Sequence, residues 1–130
     1  MFYQKNFEEI NTGKIYVILP AFNEEKSLPN LLSRLSSLQS QLSKKLTVFV
    51  VDDGSSDSTA SIATNGASGL DIRLTTHKTN LGLGQAVQTG IKEVLHVASY
   101  DDIAIIMDAD DTHDVTLINP MLEKVENGSD

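Results

Sequence analysis

Asp108 and Asp110 stand one residue apart in IAIIMDADDTHD, where five apolar residues run straight into four aspartates and a histidine. In extended geometry alternate side chains share one side of the chain. Both carboxylates can then face one cation, while Ala109 turns away and leaves room for a ligand. Hard oxygen ligands favour Mg²⁺ or Mn²⁺ over zinc, and Mg²⁺ is usually held by one or two carboxylates plus substrate phosphates. A metal there would also let an acidic protein accept an anion. The competing reading is an acidic turn in which Asp110, Asp111 and Asp114 cap the segment that follows, with His113 as a solvated turn residue or a further ligand.

Three other clusters bear on the same chemistry. Asp52-Asp53-Gly54-Ser55 closes an apolar run. An acid in that position often accepts a hydrogen bond from a ribose hydroxyl or a base N–H, and Gly54 lets the chain turn sharply. The alternative there is an Asp-Gly turn with Asp57 capping a helix. Asn80-Leu81-Gly82-Leu83-Gly84 leads into a helical pattern whose N-terminal N–H groups suit an anion, with Lys78 as a nearby cation. Close packing of that helix explains Gly82 and Gly84 equally well. Val87 occupies the place of a third glycine, and no G-x-x-x-x-G-K-[ST] occurs, so the dinucleotide and P-loop readings fall away. The third cluster, PAFNEE, begins at Pro20.

The elements that must position these clusters alternate. IYVIL, LTVFVVD, DIRLTT and DIAIIMD read as strands, and all but DIRLTT are apolar enough to be covered on both faces. Between them, Leu28, Leu31, Leu32, Leu35, Leu38 and Leu42 form one helical stripe, with Pro29 near its start. Leu83, Ala86, Val87, Gly90, Ile91, Val94, Leu95 and Ala98 form another, and a weaker helix follows Asp57. Asn119-Pro120 is expected to open a last helix, with Met121, Leu122 and Val125 inward. Alternating strands and helices predict an α/β fold, three layers deep around a mainly parallel sheet with right-handed crossovers. Ligands of such sheets bind beyond the carboxyl ends of the strands, where three of the polar clusters fall.

At 130 residues the chain is expected to be a single domain, and 40% hydrophobic residues suffice for a core. Ten Lys+Arg against eighteen Asp+Glu give a net charge of -8, which argues against nucleic acid as a partner. Without cysteine there is no disulfide framework, thiolate metal site or thiol nucleophile. Neither a signal peptide nor a membrane span is evident, and a cytoplasmic location is expected.

In their order, VILPAFNEEKSL, VFVVDDGSSDST, HKTNLGLGQAVQTG and IIMDADDTHD resemble the donor-site motifs of the family-2 glycosyltransferases with the GT-A fold. The last two are similar to those of the polyprenyl- or dolichyl-phosphate sugar transferases in particular. The resemblance runs from Ile15 to about Val125, and four ordered motifs are far more specific than one. It implies metal-dependent, inverting transfer of a sugar from a UDP- or GDP-linked donor to a lipid phosphate or glycan, as in cell-envelope glycan synthesis. A lipid acceptor would place the work at the cytoplasmic face of the membrane. By position, Pro20, Ala21, Phe22 and Glu24 would line the nucleotide pocket, Asp52 would meet the base or ribose, and Asp108 and Asp110 would hold the metal and diphosphate. Asp53, Lys78, Gly84, Met107 and Ala109 complete the donor-binding set that the resemblance implies.

The chain departs from the family pattern in three ways. Phe22 replaces a frequent tyrosine, keeping a ring to stack while losing a hydroxyl; Thr112 replaces a glutamine that contacts metal in some lipid-phosphate members. Residues 1–130 are also short for the family and are read as the nucleotide-sugar-binding half of the domain, without the acceptor half and its base. A lipid-phosphate acceptor, already an anion, would need no base. Two other classes remain: a module that binds a nucleotide sugar without turnover, and an acidic Mg²⁺-binding α/β regulatory domain. An exposed edge at the fourth strand is expected, and with it self-association into a homo-oligomer.

Overall fold

The computed structural model describes residues 13–110. β1 (Ile15–Ala21) and β2 (Leu46–Asp52) are buried at every position, as near-continuous apolar runs must be when both faces of a sheet are covered. β3 (Asp71–Thr76) pairs with β2, and β4 (Ile103–Ile106) pairs with β1. The strand order is β3-β2-β1-β4, and every pairing is parallel. Strand ends therefore share one rim, where Ala21 lies beside Asp52 and Asp52 beside Thr76. Successive strands step from β1 to β3 in one direction, and β4 returns to the far side of β1. The order thus reverses between β1 and β4.

Helices cover both faces. α1 (Leu28–Gln41) sinks Leu28, Leu31, Leu32, Leu35 and Leu38, a 3.6-residue stripe, and α2 (Thr59–Asn65) adds Ala63. They meet Ile15, Val17 and Leu19 of β1 and Leu46, Val48 and Val50 of β2 in the larger core. α3 (Leu83–Val97) packs on the other face, where Val94 joins Tyr16, Ile18 and Phe49. Gly90 brings this helix down onto the sheet, because a Cβ there would collide with Cγ2 of Ile18. The result is the expected α/β/α sandwich.

Two expectations need correction. The apolar stripe of α3 is only partly core: Ala86, Gly90 and Val94 are buried, whereas Leu83, Ile91 and Leu95 are exposed. Thr89, on the opposite flank of the helix, bonds His77 at the end of β3, so the Ile91 and Leu95 flank faces away from β3, towards β4. β4, expected to be covered on both faces, instead alternates between half-buried and exposed residues, whereas its place at the end of the described sheet is where the expected exposed edge falls. Ile106 pairs with Ile18, shares its face and is 48% exposed. The predicted helix from Asn119, with Met121, Leu122 and Val125, lies outside the described residues, as do Asp111, Thr112, His113 and Asp114. No described helix is long and apolar enough to cross a membrane.

Candidate functional site

Beyond the reversal point between β1 and β4 lies a cavity of about 410 Å³. Open parallel sheets bind ligands at such a position. The segment after β1 contributes Pro20, Ala21, Phe22 and Glu24; the segment after β4 contributes Asp108, Ala109 and Asp110. Asp53 closes one side, and Asn80, Gly82, Leu83 and Ala86 bring in the start of α3. Another cavity, about 430 Å³ between α1 and α2, has no ionisable side chain in its lining among the described residues.

The period-two alternation of β4 continues past its last residue. Met107 donates its N–H to the Ile18 carbonyl at 3.0 Å, and Met107 and Ala109 are buried against the leucine core. Asp108 and Asp110, the alternate residues, are exposed and line the cavity. Ser27 ties this segment to the β1 loop. Although it is the N-cap residue of α1, its hydroxyl lies 2.8 Å from the Ala109 carbonyl and 2.9 Å from Glu24 Oε2, and makes no cap bond.

The loops after β1 and β2 are stitched together. Asn23, at φ 51°, donates its N–H to Ser55 Oγ and accepts the Ser56 N–H on Oδ1, both at 2.9 Å. Glu24 N–H donates to Thr59 Oγ1 at 2.9 Å, and Asp57 accepts the N–H groups of Glu25 and Thr59. This leaves Phe22 44% exposed on the cavity wall, with its ring available for stacking.

The two acids ending β2 have different surroundings. Asp52 is buried and accepts the Ser55 N–H at 3.1 Å, and it is not part of the cavity lining. Asp53 accepts the N–H groups of Leu81 at 2.8 Å and Gly82 at 3.0 Å, and its Oδ1 lies 2.8 Å from Nδ1 of His77. Burial pushes this carboxyl upward, but the bonds from His77, Leu81 and Gly82 outweigh it and hold the group below its ordinary value. Two N–H groups at the entrance to α3 are therefore already satisfied by a protein carboxylate.

Sequence reasoning singled out Pro20, Ala21, Phe22, Glu24, Asp53, Asp108, Ala109 and Asp110, and the fold gathers them around one cavity. Lys78 and Gly84 are exposed and outside the lining; Met107 is buried beneath it. Leu83, Ala86, His77 and Ser27 were missed as site residues. A histidine between a strand end and a Gly-rich loop was a usable signal for His77, whereas nothing local to Ser27 pointed to its contact with Ala109, 82 residues away.

Among the described residues the lining carries four carboxylates and no lysine or arginine. No three His, Cys, Asp or Glu side chains are gathered to enclose a metal among the described residues. Asp108 and Asp110 fit the other mode of holding a hard cation, in which two carboxylates supply part of the shell and ligand phosphates or water the rest.

Fold and site together define a parallel α/β domain with its ligand cavity at the point of strand reversal. The chain belongs to glycosyl transferase family 2, whose family model matches residues 16–130. It is similar to the undecaprenyl-phosphate 4-deoxy-4-formamido-L-arabinose transferase of Salmonella choleraesuis, at 31% identity over 126 residues, covering 95% of this chain and 37% of that protein. It is also similar to the dolichol-phosphate mannosyltransferase of Pyrococcus furiosus, at 33% identity over 117 residues, covering 90% of this chain and 31% of that protein. The chain thus spans about a third of the length of these curated relatives.

Proposed function

We propose that residues 1–130 form the nucleotide-sugar-binding half of a metal-dependent, inverting glycosyltransferase that takes its sugar from a UDP- or GDP-linked donor. The observation that carries this reading is the juxtaposition of Phe22 and Glu24 with Asp108 and Asp110 in one cavity whose lining, among the described residues, lacks a cationic side chain. A diphosphate entering four carboxylates would be repelled, and Mg²⁺ or Mn²⁺ on Asp108 and Asp110 removes that conflict. When bound, the metal supplies Lewis-acid stabilisation of the departing diphosphate. The chain's own residues do the positioning. Phe22 offers a ring face to the base, the Asp53-held loop fixes the wall opposite, and Ser27 sets the Ala109 carbonyl between the two acids.

The names of both relatives describe transfer involving a lipid phosphate, and on that support we assign the whole protein a polyprenyl-phosphate acceptor. Such an acceptor is already anionic, so deprotonation by a protein base is unnecessary. Calorimetric titration of UDP, GDP and their sugar conjugates tests the donor half of the reading. One nucleotide should bind with Mn²⁺ and lose that binding in EDTA and in Asp108→Ala/Asp110→Ala. Equal binding by the double variant would refute the assignment.

A further inference from the structure

We propose that His77 is a positioning residue for the donor site: through Asp53 it fixes the Leu81 and Gly82 backbone that forms one cavity wall. The inference rests on the donor-site reading and adds a residue that does not itself line the cavity.

Both ring nitrogens of His77 are engaged. Nδ1 lies 2.8 Å from Asp53 Oδ1, and Nε2 lies 2.8 Å from Thr89 Oγ1 on α3. Its backbone N–H donates to the Asp52 carbonyl at 2.8 Å, so the residue is pinned at the end of β3 independently of its ring. The side chain is 10% exposed and that of Asp53 is 5% exposed, so water competes little for these bonds. An ionised carboxylate offers only lone pairs, and Nδ1 therefore carries the shared hydrogen.

Asp53 spends its remaining capacity on the N–H groups of Leu81 and Gly82. A carboxylate on a Cβ–Cγ hinge can rotate; one held by a ring that is itself braced against Thr89 has a single orientation. That orientation sets the peptide planes of Leu81 and Gly82, the latter at φ 100°, a conformation few side chains adopt. Asn80, Gly82 and Leu83 on the cavity wall follow from it. The chain of contacts runs from α3 through Thr89, His77 and Asp53 back to the loop that enters α3. Every link is a bond between protein groups, so the wall is held by the protein itself, and such preorganisation lowers the ordering cost of binding.

Three variants test this in the full chain. His77→Phe keeps a ring and removes both nitrogens, His77→Asn keeps a donor near Nδ1, and Thr89→Val removes the brace alone. The readouts are the dissociation constant for GDP and UDP with Mn²⁺, and amide hydrogen exchange at Leu81 and Gly82 without ligand. The expected result is about tenfold weaker binding in His77→Phe with faster exchange at both amides, as for loss of one hydrogen bond to a charged group. His77→Asn should recover most of both, and Thr89→Val should show a smaller loss in the same direction. Should His77→Phe fail to fold, His77→Asn and Thr89→Val decide, and unchanged affinity and exchange in Thr89→Val would overturn the proposal. So would unchanged affinity in a folded His77→Phe, or weakened binding with Leu81 and Gly82 still protected. If the unmodified protein binds neither nucleotide, the donor-site reading fails and the proposal with it; the exchange data would still show whether the clamp exists.

Discussion

At the scale of single residues, the division of labour among acids is the main result. Asp53 makes three hydrogen bonds inside the protein, and Asp108 and Asp110 line the cavity. Because its folded-state value is lowered from 3.8, Asp53 contributes stability that is present above pH 3.8 and lost as pH falls through the folded value. Asp71 and Asp102 are lowered too and act with the same sign. In Asp53→Asn an amide N–H₂ would face a backbone N–H, at a cost of about 1–3 kcal/mol at neutral pH. The gap between variant and unmodified protein should narrow as pH falls below 3.8, measured by urea unfolding across that range; a gap independent of pH would contradict the assignment. The alternation that places Asp108 and Asp110 together was legible because a period of two needs only local sequence. The Asp53 clamp was not, since its partners lie 24, 28 and 29 residues away and only the fold brings them close.

At the scale of elements, continuous apolar runs identified β1 and β2, and the leucine spacing identified α1, because burial on both faces or along one stripe leaves a direct mark on composition. The stripe of α3 misled, since a helix seated over the two central strands can carry an apolar flank that no described neighbour covers. Gly90 and Gly84 in this helix give opposite predictions. Alanine at Gly90 gains about 1 kcal/mol of helix propensity but drives a methyl into Ile18, and overpacking costs about 1–3 kcal/mol. Ile18 is β-branched and 1% exposed and cannot move aside cheaply, so Gly90→Ala should lower the melting temperature. A Cβ at Gly84 meets nothing within 4 Å, and Gly84→Ala should raise stability by about 0.4–1 kcal/mol. Thermal melts of the pair check both signs; equal shifts would mean that α3 does not press on β1 as described.

At the scale of the whole molecule, a net charge of -8 opposes association, while Ile91, Leu95 and Ile106 expose apolar surface on one face. Salt screens the first and leaves the second, so light scattering should show mass above that of one chain appearing as ionic strength rises. A monomer at every salt concentration would remove the expectation of self-association. Strand order was legible only in part: the strand–helix alternation predicted a parallel sheet, but placing β4 beside β1 required the structure. That placement makes the site, because it brings the segment after Ile106 to the end of β1.

The most direct test of the donor site is an amide spectrum of the protein titrated with Mn²⁺ in the presence of the nucleotide it binds. Paramagnetic broadening should appear first at Phe22, Gly82, Asp108, Ala109 and Asp110, and should spare Ser36 and Ser68 at the cavity between α1 and α2. Broadening centred elsewhere, or none at saturating nucleotide, would contradict a metal and diphosphate held between the ends of β1 and β4.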